Sequence, residues 1–153
     1  MAELLGQDVE RPWEIQIELP VKLNHEFQRG LELDAGRVVY YGSRHSLPGE
    51  SKTGYEFFGS KVYIADYTVV QEPLVMLLRL GIGYAFELSK SLLAFNDSFK
   101  IYIFGHLEDS FSKINDACVQ FHLNRSEEEP PFPEVQIYSP GFNPTMIINF
   151  ESS

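Results

Sequence analysis

The most regular pattern of apolar and polar positions lies between residues 13 and 19. In Trp13-Glu-Ile-Gln-Ile-Glu-Leu19 the two types alternate strictly, which is typical of a β-strand with one buried face. Side chains two residues apart share a face, so Glu14 and Glu18 should both point to solvent. Pro20 ends or bends this strand.

Shorter segments carry the β-branched and aromatic residues that strands favour. Leu31 and Leu33 indicate one such strand, and the turn signal Asp34-Ala-Gly36 separates it from the next. The other predicted strands are Arg37–Tyr41, Tyr55–Phe58, Lys61–Val70, Phe99–Phe104, Ala117–Leu123, Glu134–Tyr138 and Met146–Phe150.

After Glu72-Pro73 the apolar spacing changes to three and four residues, from Leu74 to Phe95. This spacing predicts one long helix over about residues 73–95, with Pro73 at its favoured first position. Gly81 and Gly83 each cost such a helix about 1 kcal/mol relative to alanine. A helix broken at these glycines is the competing interpretation.

Two segments lack either pattern. Residues 42–54 are mostly small, polar or chain-breaking, and we predict a flexible loop there. Residues 126–133 combine three glutamates with three prolines, which predicts a linker or extended arm. A chain of 153 residues forms one domain by length. The order of elements predicts an α+β fold, with a mainly antiparallel sheet of about six to eight strands packed on one long helix.

The negative charge is concentrated at the two ends of the chain. Residues 1–34 and residues 127–153 each carry a net charge of −5, whereas the segment between them is neutral. A net charge of −10 repels nucleic acid and anionic lipid, and it attracts a basic partner. We therefore expect a basic protein partner, no nucleic acid and no membrane.

The sequence offers little for catalysis. Four scattered histidines and one cysteine form no zinc motif, and no Gly-x-Ser-x-Gly sequence is present. Cys118 has apolar neighbours and is expected to be buried. Gly81-Ile-Gly83 lies inside the predicted helix, not at the strand-to-helix turn of a dinucleotide site. We expect no cofactor, no metal and no enzymatic activity.

Aromatic residues suggest a binding surface instead. Seven of the 21 aromatic residues cluster between Tyr40 and Tyr67, and tyrosine is enriched at protein interfaces. Solvated acidic faces and ordinary sheet tyrosines are the competing interpretations. The predicted partner-binding residues are Glu14, Glu18, Glu32, Asp34, Tyr40, Tyr41, Tyr55, Tyr67, Glu127, Glu128 and Glu129.

In size, acidity and lack of motif, the chain resembles the small cytosolic immunity proteins of bacterial toxin–immunity systems, such as those of contact-dependent growth inhibition. This resemblance implies an inhibitor that occludes a cognate toxin, often a basic nuclease. Carboxylates would meet the lysines and arginines that hold phosphates, and tyrosines would supply buried contacts.

The alternative is a small-molecule-binding domain or enzyme with an aromatic-lined pocket between sheet and helix. A homo-oligomeric structural subunit is a further possibility. The single cysteine and the absence of an N-terminal signal sequence favour a cytoplasmic protein.

Overall fold

The computed structural model describes residues 18–41, 51–106, 115–128 and 146–151. The elements in chain order are α1 (Val21–Gln28), β1 (Leu31–Asp34), β2 (Arg37–Tyr40), α2 (Lys52–Gly59), β3 (Val62–Tyr63), a 3-10 turn (Ile64–Tyr67), α3 (Leu74–Leu92), β4 (Phe99–His106), β5 (Asp116–Leu123) and β6 (Met146–Phe150). The fold is α+β, with antiparallel strands and a long helix, as predicted. Its strands form two sheets, so a single sheet of six to eight strands is not confirmed.

Helix α3 is unbroken and packs on one face of the four-stranded sheet, whose strand order is β3-β5-β4-β6. A β-carbon at Gly81 would lie 3.5 Å from the side chains of Ile103 and Val119. The glycine therefore marks the close approach of the helix to the sheet, and the predicted break does not occur. This interface is filled by fully buried side chains such as Leu77 and Leu78, which argues against an aromatic-lined pocket between sheet and helix.

Helix α2 covers part of the opposite face of the sheet. Side chains alternate along β4, so Tyr102 points away from Ile101 and Ile103. The Phe57 ring of α2 meets Tyr102 edge-on, with ring centroids 5.2 Å apart. The sheet is thus held between two helices.

Strands β1 and β2 form a separate hairpin whose two-residue turn is Ala35-Gly36. The φ angles of these residues are 50° and 77°. Positive φ at both central positions gives a turn whose twist matches that of the flanking strands. The turn predicted at Asp34-Ala-Gly36 is therefore confirmed, with Asp34 as the last residue of β1.

The predicted strand Tyr55–Phe58 is wrong, because these residues belong to α2. The buried positions of this segment are Thr53, Tyr55, Glu56, Phe57 and Ser60. Four of them, Thr53, Glu56, Phe57 and Ser60, have a helical spacing, which the hydrophobic pattern conceals because three of these four are polar. Ser51 caps the helix by accepting a hydrogen bond of 3.0 Å from the Gly54 backbone N–H. Residues 52–54 are therefore helical and not part of the predicted loop.

Of the predicted strand Lys61–Val70, only Val62–Tyr63 forms a strand. The chain then turns, because Asp116 Oδ1 accepts a hydrogen bond of 3.0 Å from the Ala65 backbone N–H.

Helix α1 was not predicted at all. Glu18 and Leu19 lie outside any strand, and the rest of the predicted strand 13–19 lies outside the described residues. So do the predicted strand 134–138, residues 42–50 of the loop and residues 129–133 of the arm.

Strands β1, β2, β4, β5 and β6 confirm the remaining predictions to within one or two residues. No helix in the described ranges combines the length and the hydrophobicity that a membrane crossing requires.

Candidate functional site

The four tyrosines predicted to contact a partner have different environments. Tyr40 and Tyr55 are only 7% and 2% exposed. The Tyr40 hydroxyl lies 2.6 Å from that of Tyr84 on α3, and the Tyr55 ring lies under the Arg37 guanidinium, 3.8 Å from its centroid. Tyr40 points inward from β2 and Tyr55 points inward from α2, so both rings belong to the protein interior and not to its surface. Tyr67 is half-buried against the core, whereas Tyr41 is 64% exposed.

The predicted acidic residues are also divided. Glu18, Asp34 and Glu127 are exposed, and Glu32 and Glu128 are half-buried. Glu14 and Glu129 lie outside the described residues.

Arg125 joins the hairpin turn to the acidic segment that follows β5. Its Nη2 donates to the Gly36 carbonyl at 3.1 Å and to Glu56 Oε1 at 2.6 Å. Its Nη1 donates to Glu56 Oε2 at 2.7 Å and to Thr53 Oγ1 at 3.2 Å. Asp34 therefore lies on the same side of the molecule as Glu127 and Glu128.

The Glu56 side chain is 0% exposed, and both of its carboxylate oxygens accept hydrogen bonds from groups of the same chain. Besides the two bonds from Arg125, its oxygens accept from the backbone N–H groups of Val38 and Leu123 at 2.7 and 2.9 Å. Burial alone would lower the pKa of Arg125, but the hydrogen bonds and charge of Glu56 outweigh burial and raise it. We call Glu56, Arg125, Thr53, Gly36 and Glu128 the Glu56–Arg125 network.

Glu128 and Asp34 have partners within the chain. Glu128 Oε2 accepts a hydrogen bond of 2.7 Å from the Thr53 N–H in the first turn of α2. Partial burial would raise the pKa of Glu128, but the bonds from Thr53 and the charge of Arg125 lower it overall. Asp34 pairs with Arg37 at 2.8 Å. Asp34 is therefore paired with a cation, and Glu128 remains ionised but is held by N–H donors of its own chain.

A polar cleft of about 530 Å³ lies beside this network and includes Lys100, His122 and Glu151 in its wall. His122 Nδ1 donates to the Leu123 carbonyl at 2.9 Å, so its Nε2 accepts from the Tyr102 hydroxyl at 3.0 Å. Burial lowers the pKa of His122 and raises the pKa of Tyr102 to about 12. Both groups are neutral at pH 7 and are hydrogen-bonded to each other. This pair therefore stabilises the fold.

Cys118 is a half-buried thiol on β5. Burial raises its pKa to about 12, against the opposing effect of Lys61. The thiol is therefore protonated at neutral pH, and it lacks the thiolate character of a nucleophile.

A second cleft, of about 490 Å³, combines carboxylates with exposed apolar side chains. We call it the acidic cleft, and it lies where the 3-10 turn, the segment leading into α3 and the start of β5 meet. Its lining residues are Tyr63, Ala65, Asp66, Thr68, Val69, Val70, Gln71, Glu72, Asn115 and Asp116. This set includes no lysine or arginine.

The apolar members of the acidic cleft are unusually open to solvent. Val69 is 93% exposed, Val70 is 62% exposed and Tyr63 is 44% exposed. Two adjacent exposed valines and a half-exposed tyrosine therefore give the acidic cleft an apolar side.

The acidic cleft carries a negative field. Burial raises the pKa of Tyr63. The Cys118 thiolate, which forms only at the high pH where this phenol titrates, and the charges of Asp116 and Asp66 raise it further. Asp116 Oδ1 is held by the N–H groups of Ala65 and Ala117 at 3.0 and 2.7 Å. In the described part of the chain, the carboxylates of Asp66 and Glu72 make no hydrogen bond or ion pair, so their charge is available to a partner.

Sequence reasoning missed the acidic cleft because residues 61–70 resemble a strand. In a strand, one of the adjacent residues Val69 and Val70 would face the core. Glu72-Pro73 was a helix-start signal, and an apolar pair between a turn and a helix start is the signal that could have located the cleft.

Across the described ranges, no three histidine, cysteine, aspartate or glutamate side chains are grouped to hold a metal ion. The carboxylates of the acidic cleft are therefore not arranged as metal ligands. Comparisons with known protein families, with curated proteins and with solved structures found no match for this chain.

Proposed function

We propose that this protein is an acidic binding module that engages a basic protein partner, in the manner of an immunity protein that neutralises a cognate bacterial toxin in the cytoplasm. The observation that carries the proposal is the acidic cleft, where the carboxylates of Asp66 and Glu72 have no partner among the described residues and adjoin Val69 and Val70. Apolar area supplies affinity, and unpaired charge steers a cationic partner and selects against other proteins.

The distribution of the remaining acids supports the same sign of partner. The net charge of −10 gives the whole molecule a field that accelerates the approach of a cation. Exposed Glu18 and Glu127, with the exposed ring of Tyr41, would add steering and contact outside the cleft. Tyr40 and Tyr55 have no part in this proposal, because their rings are buried.

The proposal is tested by capture followed by kinetics. Immobilised wild-type chain and the variant Asp66→Asn/Glu72→Gln are exposed to lysate of the source organism, and bound proteins are identified by mass spectrometry. The control Glu87→Gln/Asp97→Asn removes the same charge outside the cleft. We expect a protein rich in lysine and arginine that binds wild type and control.

For the double cleft variant, we expect the association rate with that partner to fall by about tenfold at low salt, because rim charges act mainly on association. The difference should shrink at high salt. The partner should inhibit growth when expressed alone, and co-expression of this chain should relieve that inhibition. An acidic or neutral partner, binding without salt dependence, or a partner whose growth inhibition persists on co-expression would contradict the proposal.

A further inference from the structure

We infer that His122 makes the attachment of helix α2 sensitive to acid: when its imidazole gains a proton, α2 opens away from the sheet while α3 stays in place. His122 lies on β5, on the sheet face that α2 covers, and is 2% exposed. The Phe57 ring of α2 lies 6.4 Å from the imidazole, measured between centroids. The inference is independent of the proposed function, because neither residue lines the acidic cleft.

The hydrogen bonds of His122 are those of a neutral imidazole. Its Nδ1 lies 2.9 Å from the Leu123 carbonyl, which can only accept, so Nδ1 carries the proton of the ring. Nε2 is then an acceptor, and the Tyr102 hydroxyl donates to it at 3.0 Å. A proton on Nε2 would place two donors face to face. The Tyr102 hydroxyl would have to turn its proton elsewhere, in a side chain that is only 1% exposed.

Burial and two neighbouring cations disfavour a positive charge on His122. Lys100 is its register partner on β4, and Arg125 lies two residues beyond the end of β5. Glu56 on α2 has the opposite effect, but it already pairs with Arg125 at 2.6 Å. Burial, Lys100 and Arg125 together outweigh Glu56, so the pKa of His122 lies below its usual value.

Two further carboxylates line the polar cleft beside His122, and both accept hydrogen bonds from their own chain. Glu128 Oε2 accepts from the Thr53 N–H at 2.7 Å. Glu151 Oε1 accepts from the side-chain amide of Asn149 at 2.9 Å. A protonated imidazole would therefore compete with existing donors for any carboxylate of this cleft.

Helix α2 is the element that yields, because much of its attachment is polar. Two of its four buried residues, Thr53 and Glu56, are polar, and its Phe57 carbonyl accepts a hydrogen bond of 2.8 Å from the side chain of Gln120 on β5. Helix α3 instead buries apolar side chains along its whole length, and apolar contacts do not change with pH. Opening of α2 gives the protonated imidazole access to water, which stabilises its charge.

The test is amide hydrogen exchange of the full chain, followed by NMR at pH 7.5 and 5.5 and corrected for intrinsic exchange rates. A histidine whose pKa is lower in the closed state than in the open state favours opening as the pH falls. The opening constant of α2 amides such as Tyr55, bonded to the Ser51 carbonyl at 2.9 Å, should rise severalfold. The limit is about tenfold, set by an open-state pKa of about 6.5.

Amides of α3 are the internal reference and should keep their protection over the same pH range. An equal rise in both helices would show that the whole protein unfolds, and it would overturn the inference. An unchanged opening constant in α2 would overturn it as well.

Two variants assign the response to one group. His122→Gln removes the titrating imidazole, so the opening constant of α2 should be the same at both pH values. His25→Gln, at an exposed position of α1, is the matched control and should respond as the wild type does. A response of α2 that persists in His122→Gln would overturn the inference.

A direct measurement on the wild type keeps the inference testable if His122→Gln does not fold. Imidazole ¹⁵N shifts of the folded protein should show the proton of His122 on Nδ1 at pH 7.5, with a titration midpoint below the usual value of about 6.5. A proton on Nε2, or a midpoint at the usual value, would overturn the inference.

Discussion

The Glu56–Arg125 network and the acidic cleft differ in whether their carboxylates have partners within the chain. In the network, Glu56 is completely buried and accepts four hydrogen bonds from its own chain. In the acidic cleft, Asp66 is exposed and Glu72 is half-buried beside Val69, and neither makes such a bond in the described ranges. Charge that is matched internally holds elements together, whereas unmatched charge beside apolar surface is available to another molecule.

Among the described residues, this difference does not follow the linear distribution of charge. The acidic ends of the chain supply Asp34 and Glu128, and both have partners inside the fold. The electrically neutral middle supplies Asp66 and Glu72, which share one cleft and have no partner among the described residues. Net charge along a segment therefore does not indicate where unpaired charge lies on the folded surface.

The largest expected effect comes from breaking the network. Glu56→Ala should destabilise the protein by about 3–5 kcal/mol, because it leaves Arg125 and two buried N–H groups without their acceptor. Urea unfolding followed by circular dichroism measures this. The matched control is Glu87→Ala, which removes an exposed ion pair with Lys90 and should change stability by about 0.5 kcal/mol or less. Similar losses of stability in both variants would show that the network contributes no more to stability than an exposed ion pair does.

A second prediction concerns the pH dependence of the same region. The folded state keeps His122 neutral, because burial against Phe57 and Tyr102 lowers its pKa. Glu56 opposes this effect, and Lys100 and Arg125 add to it. The unfolded chain binds a proton near pH 6.5, so stability should fall as pH drops below about 6.5.

The measurement is the free energy of unfolding in urea between pH 7.5 and 5. His122→Gln should flatten this profile, whatever its effect on stability at pH 7.5. His25→Gln, at an exposed position, should leave the slope as in the wild type. A profile that keeps its slope without His122 would assign the pH dependence to another group.

The smallest effect on stability is expected at the acidic cleft. Asp66→Asn/Glu72→Gln removes one exposed and one half-buried charge, neither of which has a partner among the described residues, so the free energy of unfolding should change by about 0.5 kcal/mol or less. The same variant is expected to lose partner binding. A large loss of stability would show that these carboxylates serve the fold, and the contrast between the two regions would disappear.

The local sequence pattern predicted an element correctly where apolar residues occupied every buried position of that element. The spacing after Pro73 predicted α3, and the alternating or β-rich segments predicted β4, β5 and β6. It failed at α2, whose buried residues include Glu56 and Thr53, because a polar residue inside a core does not contribute to a hydrophobic period. It also failed after Tyr63, where a hydrogen bond from Ala65 to Asp116, 51 residues away, turns the chain out of the sheet.

The sequence by itself determined the class of fold, the long helix, the hairpin turn and the acidic character of the protein. These properties depend on residue type and short-range spacing, which are written in the chain. Only the tertiary structure decided which carboxylates are paired, which tyrosines are buried and where unpaired charge adjoins apolar surface. Those properties depend on donors and acceptors brought together from distant positions, and no local pattern records that pairing.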